Sequence, residues 1–266
     1  MLILCKIIDM KKSYLVITIL LGILGILCFV FFEVVNTTIL SDPLANKFLC
    51  GFLSRLGLSL LFGWLLFIFG GKSFFLCSKK SLAGMAWALP CFMVAFVNYP
   101  YTAIANNTAS IDRSDLLGLY ALYIVSIALL EELVFRGIFT FLAKDYFKNN
   151  RHAPLLITIV CSLVFSLFHL TNLISGADLG YTLLQCVYTF LIGAMLTVTM
   201  LKLNNLWLCF VIHAIFDFCG LIIIHLGSGN PWDTTFWVLT IVSGILCAGH
   251  VVYTLIKLDR SYVSNN

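Results

Sequence analysis

Eight long apolar stretches recur from one end of this chain to the other, and no other feature constrains its fold so tightly. They run roughly over 14–35, 48–70, 82–98, 116–142, 154–171, 180–201, 206–226 and 235–256. Each is close to the length that carries a helix across ~30 Å of hydrocarbon. Only 11% of the 266 residues are charged, against about a quarter in soluble domains. The expected fold is therefore all-α: a polytopic membrane protein of eight transmembrane helices, with residues 1–266 forming a single membrane-embedded domain.

The basic residues give the orientation. With the N-terminus placed in the cytoplasm and the spans alternating, Lys6, Lys11, Lys12, Lys72, Lys79, Lys80, Lys144, Lys148, Arg151, Lys202, Lys257 and Arg260 fall inside. Only Lys47 and Arg113 fall outside, beside Asp42, Asp112, Asp115, Asp178 and Asp233. Cytoplasmic loops of membrane proteins are enriched in Lys and Arg, so both termini are expected in the cytoplasm. The net charge of +4 is spread over loops rather than clustered, which argues against a nucleic-acid partner. Membrane lipid is the expected surroundings.

The run from Tyr14 to about Val35 is longer than a signal-peptide core and is read as a retained first span. Cys28, Cys50, Cys91, Cys161, Cys186, Cys209, Cys219 and Cys247 sit in apolar spans without CxxC spacing, so they read as small buried side chains. Glycosylation-type triplets begin at Asn36 and Asn106 on the expected outer side.

Against this background the ionisable residues inside spans stand out. A charged side chain in hydrocarbon costs a few kcal/mol or more, so such residues are functional candidates by default. The chain has three glutamates, and two are adjacent in Glu131-Glu132-Leu133-Val134-Phe135-Arg136. Glu132 and Arg136 are four apart and share a helix face, whereas Glu131 points about 100° away and is free to face something else. The fifth span carries Phe165-Ser166-Leu167-Phe168-His169, and the seventh carries His213-Ala214-Ile215-Phe216-Asp217. Unless these groups converge on one polar cavity, each bears its own desolvation cost. Imidazole nitrogens and carboxylate oxygens can hold a metal such as zinc or position a water molecule, and a carboxylate in apolar surroundings can take a proton from that water. The His-Glu-x-x-His pattern of soluble metalloproteases is absent.

Glu131-Glu132-x-x-x-Arg136, Phe165-x-x-x-His169 and His213-x-x-x-Asp217, in this order on separate spans, resemble the three motifs of the CPBP family. That family comprises CAAX prenyl proteases of the Ras-converting type, bacteriocin-processing enzymes and bacteriocin-immunity proteins, formerly grouped as Abi. The motifs cover about 131 to 217, within a motif-bearing core of about 116–226, and the first four spans match only in being hydrophobic. The resemblance implies an eight-helix intramembrane endopeptidase. Glu131 would activate the water, His169 and His213 would hold it or donate a proton, and Glu132 and Arg136 would support the site. Asp217 fills a position that is asparagine or aspartate in the family, and it tips the reading slightly toward a metal. Glu131, His169, His213 and Asp217 would then ligate zinc, with a metal-free mechanism as the other option.

The implied substrate is a membrane-associated or lipidated peptide or protein, and the short loops fit a bacterial cell membrane. A non-catalytic bacteriocin self-immunity or regulatory protein of the same fold is the alternative function. A proton-coupled transporter is a third, and it predicts broken helices beside the cluster, where Gly137 is the one such residue. In straight helices His169 lies near the outer end of its span, while Glu131 and His213 lie at mid-depth.

Other residues read more plainly. Glu33 and Arg55 suit a structural pair, Gln185 and Asn98 suit interhelical hydrogen bonds, and Phe165 suits a cavity wall. Gly22, Gly25, Gly51 and Gly57 suit helix packing, and Trp207, Trp232, Trp237 and Tyr99 suit interfacial belts.

Overall fold

Apolar runs become helices in the computed structural model, which describes residues 12–35, 37–69, 72–75, 81–174 and 176–265. The helices are α1 (Lys12–Phe29), α2 (Pro43–Ile68), α3 (Lys72–Phe75), α4 (Ser81–Trp87), α5 (Leu89–Val97) and α6 (Tyr101–Ala105). They continue with α7 (Leu117–Glu132), α8 (Thr140–Phe147), α9 (Ala153–Phe168), α10 (Leu179–Leu203), α11 (Leu206–Leu226) and α12 (Thr234–Asn265). Lys6, Lys11, Lys79, Lys80 and Asn36, used in the charge and glycosylation readings, lie outside the described residues.

Among the described residues, seven helices are long and apolar enough to cross a membrane, and they match seven of the expected spans. The expected third span, 82–98, is divided at Ala88 into α4 and α5. Pro90 sits in the first turn of α5, where its missing N–H is tolerated but cannot continue a helix from before it. Seven long helices and one broken apolar segment thus stand where eight spans were expected.

Two devices place the site. A π-helical stretch, Leu133–Phe139, joins α7 to α8, so Ser114–Phe147 forms one continuous span with a widened turn at Arg136 and Gly137. Such turns leave the regular ladder and often occur where side chains must be re-aimed. At Gly137 a Cβ would lie 2.6 Å from Leu66 Cδ2 of α2, so any larger residue would have to displace that side chain. The second device is a short antiparallel ribbon of β1 (Ala109–Ile111) and β2 (Gly227–Gly229), with Ser110 opposite Ser228. It ties the loop before α7 to the end of α11, and the amides of Asp112 and Arg113 both donate to Leu226 O.

The core follows this wiring. Leu133, Leu196, Ile212, Cys209, Cys91 and Cys247 pack around the middle of the bundle, where α5 lies against α11 and α12. Tyr120, Ile124, Ile222 and Leu226 pack with Phe48 at the ribbon end. The charged loops separate between the two ends. At the ribbon end Arg113 Nη2 lies 2.6 Å from Asp42 Oδ2. At the opposite end His152 Nδ1 meets Asp259 Oδ2 at 2.6 Å, and Tyr262 Oη donates to Lys148 O.

Helix α1 packs on α2 through Gly25, Gly57 and Cys28, and Glu33 pairs with Arg55 at 2.6 Å. Gly51 lies against the Tyr123 ring, but Gly22 faces open space, so the packing role expected of it is not met. Trp207, Trp232 and Trp237 are exposed on the outside of the bundle, and the buried cysteines are free thiols.

Candidate active site

Three separate stretches of chain meet around one imidazole. His213, on α11, is 3% exposed and turns Nδ1 toward Glu132 Oε1 at 2.7 Å. Glu132 Oε1 also accepts from Arg136 Nη1 at 2.6 Å, across the turn where α7 gives way to the π-helical stretch. A carboxylate can only accept, so Nδ1 carries the proton and Nε2 is the working nitrogen. Nε2 faces Asp217 Oδ2 at 3.3 Å and Glu131 Oε2 at 3.7 Å. The two adjacent glutamates therefore do different things: Glu132 orients the histidine from behind, and Glu131 stands in front of it.

Burial divides the groups in the same way. The side chains of Glu132 and Arg136 are each 1% exposed, whereas those of Glu131 and Asp217 are 20% and 17% exposed. The guanidinium carbon of Arg136 stands over the Phe165 ring, 4.2 Å from its centroid, which compensates a cation in an apolar setting. Glu132 Oε2 and Arg136 Nη2 are buried without a hydrogen-bond partner in the protein. The pair is held tightly through one contact only.

Phe165 is the hub. Its ring meets His169, His213 and Phe135 edge-on at centroid distances of 5.0, 5.8 and 5.0 Å. His169 starts a 3₁₀ turn (His169–Leu173) where α9 ends, and its Nδ1 donates to Phe165 O at 2.9 Å. His169 thus stands where the helix gives way to this turn, and its ring shares Phe165 with His213.

Supporting contacts come from two tyrosines and an amide. Tyr120 Oη donates to Phe218 O at 2.9 Å, and Asn98 Nδ2 donates to Phe216 O at 2.9 Å. Both hold the α11 backbone that carries Asp217. Tyr188, on α10, has its ring 6.4 Å from that of Phe216, the residue before Asp217. The sequence reading passed over Tyr120 and Tyr188. Tyr120 lies eleven residues before Glu131, three helical turns along one face, and Tyr188 lies three after Gln185, so helical spacing carried a signal for both.

A resident zinc would need several donors at about 2.0–2.2 Å from one point. Here Glu132 accepts from His213 Nδ1 and Phe165 O accepts from His169 Nδ1, the outer support that metal-ligating histidines use, and Nε2 of each ring is the nitrogen left to act. Among the described residues, no group of three or more His, Cys, Asp or Glu side chains is gathered to hold a metal. No step below depends on a metal.

Residues 113–219 match the family model described as "Rce1-like: Type II CAAX prenyl endopeptidase Rce1-like", so this stretch is similar to the CPBP intramembrane proteases. The matched segment contains all three motifs. No curated protein matches the chain, and no solved structure does.

Proposed function

We propose that the chain is an endopeptidase of a bacterial cell membrane that hydrolyses a membrane-associated or lipidated peptide. The observation that carries this reading is the orientation of His213. Arg136 and Glu132 fix its Nδ1 side, and Nε2 is turned toward Glu131 and Asp217. The family match supports protease activity in general terms.

The 3.7 Å between Glu131 Oε2 and His213 Nε2 is too long for a direct hydrogen bond and suits a bridging water. Glu131 takes a proton from that water as its oxygen bonds to the peptide carbonyl carbon. The tetrahedral oxyanion is stabilised by a donated N–H from protonated His213 or His169. The carbon–nitrogen bond then breaks, and the leaving nitrogen takes up the proton. Asp217 holds His213 from its own helix, one turn away. Glu132 and Arg136 are sealed behind His213 and act as positioning residues.

Cleavage of a fluorogenic membrane-peptide library by the purified protein tests this. Wild type should cleave, Glu131→Ala and His169→Ala should not, and a chelator should leave the rate unchanged. Unaltered cleavage by both variants would remove the assignment. Inhibition by the chelator, reversed by added zinc, would restore the metal route. No cleavage by any form would favour the non-catalytic alternative.

A further inference from the structure

The second half of the broken third span, α5, ends on Asn98. Along it Ala88, Cys91 and Ala95 are fully buried at the spacing of one helix face, and Asn98 is the next position on that face. These small side chains let α5 lie close against α11. At its end Asn98 Nδ2 donates to Phe216 O at 2.9 Å. Phe216 O is also the carbonyl that accepts from the Gly220 amide in a regular α-helix, so Asn98 adds a second bond to a filled ladder.

Gly220 is what lets the amide in. A Cβ there would fall on Asn98 Nδ2, with Asn98 Cγ at 3.0 Å. Glycine is the poorest helix former after proline, yet it stands here inside α11. His213, Asp217 and Gly220 are four and three residues apart and so share one face of that helix. The Asn98 amide therefore covers this face one turn beyond Asp217. From α7, Tyr120 Oη donates to Phe218 O at 2.9 Å. The backbone before and after Asp217 is thus tied to two different spans.

We propose that Asn98 is a positioning residue of the hydrolytic site: its bond to Phe216 O, seated on Gly220, fixes the rotation of α11 and with it the direction of His213 Nε2. Rotation matters because Nε2 stands 3.3 Å from Asp217 Oδ2 and 3.7 Å from Glu131 Oε2, and a misplacement of about 1 Å can cost about 100-fold in rate. The consequence for rate rests on the proposed hydrolase. The direction of the ring can be read without turnover.

The test is the nitrogen NMR spectrum of protein carrying isotope-labelled histidine, taken at one fixed pH, beside steady-state cleavage of a membrane peptide. The His213 ring signals are those missing from His213→Gln. Asn98→Ala should move them, whereas Asp259→Asn, at the opposite end of the molecule, should move those of His152 instead. Asn98→Ala should also lower kcat about 10- to 100-fold with KM within about 3-fold, since the lost contact is made within the protein. Gly220→Ala drives the Asn98 amide off Phe216 O and should reproduce both effects, and it serves alone if Asn98→Ala does not fold. His213 signals unmoved in these variants overturn the proposal, as does an unchanged kcat or a loss carried by KM alone. Moved signals in a protein of which no form cleaves keep the positioning contact and remove the protease reading.

Discussion

The carboxylates at 131 and 132 are identical in chemistry and adjacent in sequence, yet their surroundings divide them. Glu132 accepts from Arg136 and His213, both within 2.7 Å, in a fully buried setting. Removing one partner of a buried charge pair leaves the other uncompensated, at about 3–5 kcal/mol. Glu132→Leu should therefore destabilise the protein by about that amount in a detergent thermal unfolding assay, while Glu132→Leu with Arg136→Leu recovers most of the loss. Glu131 has no such partner. Glu131→Gln should leave the unfolding midpoint near that of wild type and lower cleavage by about 100- to 10,000-fold, the range of a lost general base. Measuring both quantities on both variants separates positioning from catalysis. Of the site, the Glu132–Arg136 pair was legible because residues four apart meet on a helix. The bond from Glu132 to His213, 81 positions away, was not, because no spacing rule reaches across a bundle.

At the scale of elements, the turn Leu133–Phe139 sets where the cluster sits relative to α2. Gly137 allows Leu66 to approach, and a methyl group there would meet Leu66 Cδ2 at 2.6 Å. Gly137→Ala should cost about 1–3 kcal/mol, the usual range for overpacking, and Leu66→Ala in the same protein should relieve part of it. A double-mutant cycle of unfolding free energies checks this, and strictly additive effects would contradict the contact. The long helices were legible because an apolar run of bilayer length has few other structures open to it. The break at Ala88 was written in Pro90, but a run of apolar residues on both sides masked it. The ribbon left no trace: Ala109–Ile111 and Gly227–Gly229 are too short for an alternating pattern, and three of the six residues are glycine or serine on one strand.

The whole molecule has two charged ends with a sealed core between them. At the ribbon end Asp42 caps α2 by accepting from the amides of Leu44 and Ala45, and it also meets Arg113. The Ala45 amide first, and then the Arg113 guanidinium, hold its carboxyl below the ordinary value of 3.8. The sign follows from linkage: a depressed folded value stabilises the fold fully above 3.8 and is lost as pH falls through the lower folded value. Asp42→Asn should flatten the acid limb of a plot of unfolding midpoint against pH and leave the neutral part little changed. An unchanged acid limb would assign that limb to other carboxylates. The charge pattern that assigned loops to sides grouped Asp42 with Arg113, and the fold brings these two together.

The central claim is that Glu131 activates water held in front of an oriented His213. The most direct measurement is turnover of one identified membrane-peptide bond by wild type and by Glu131→Gln, at matched folded concentration. The account predicts hydrolysis by wild type and a loss of about 100-fold or more in the variant, with unchanged thermal stability. Turnover by Glu131→Gln within a few-fold of wild type would contradict it.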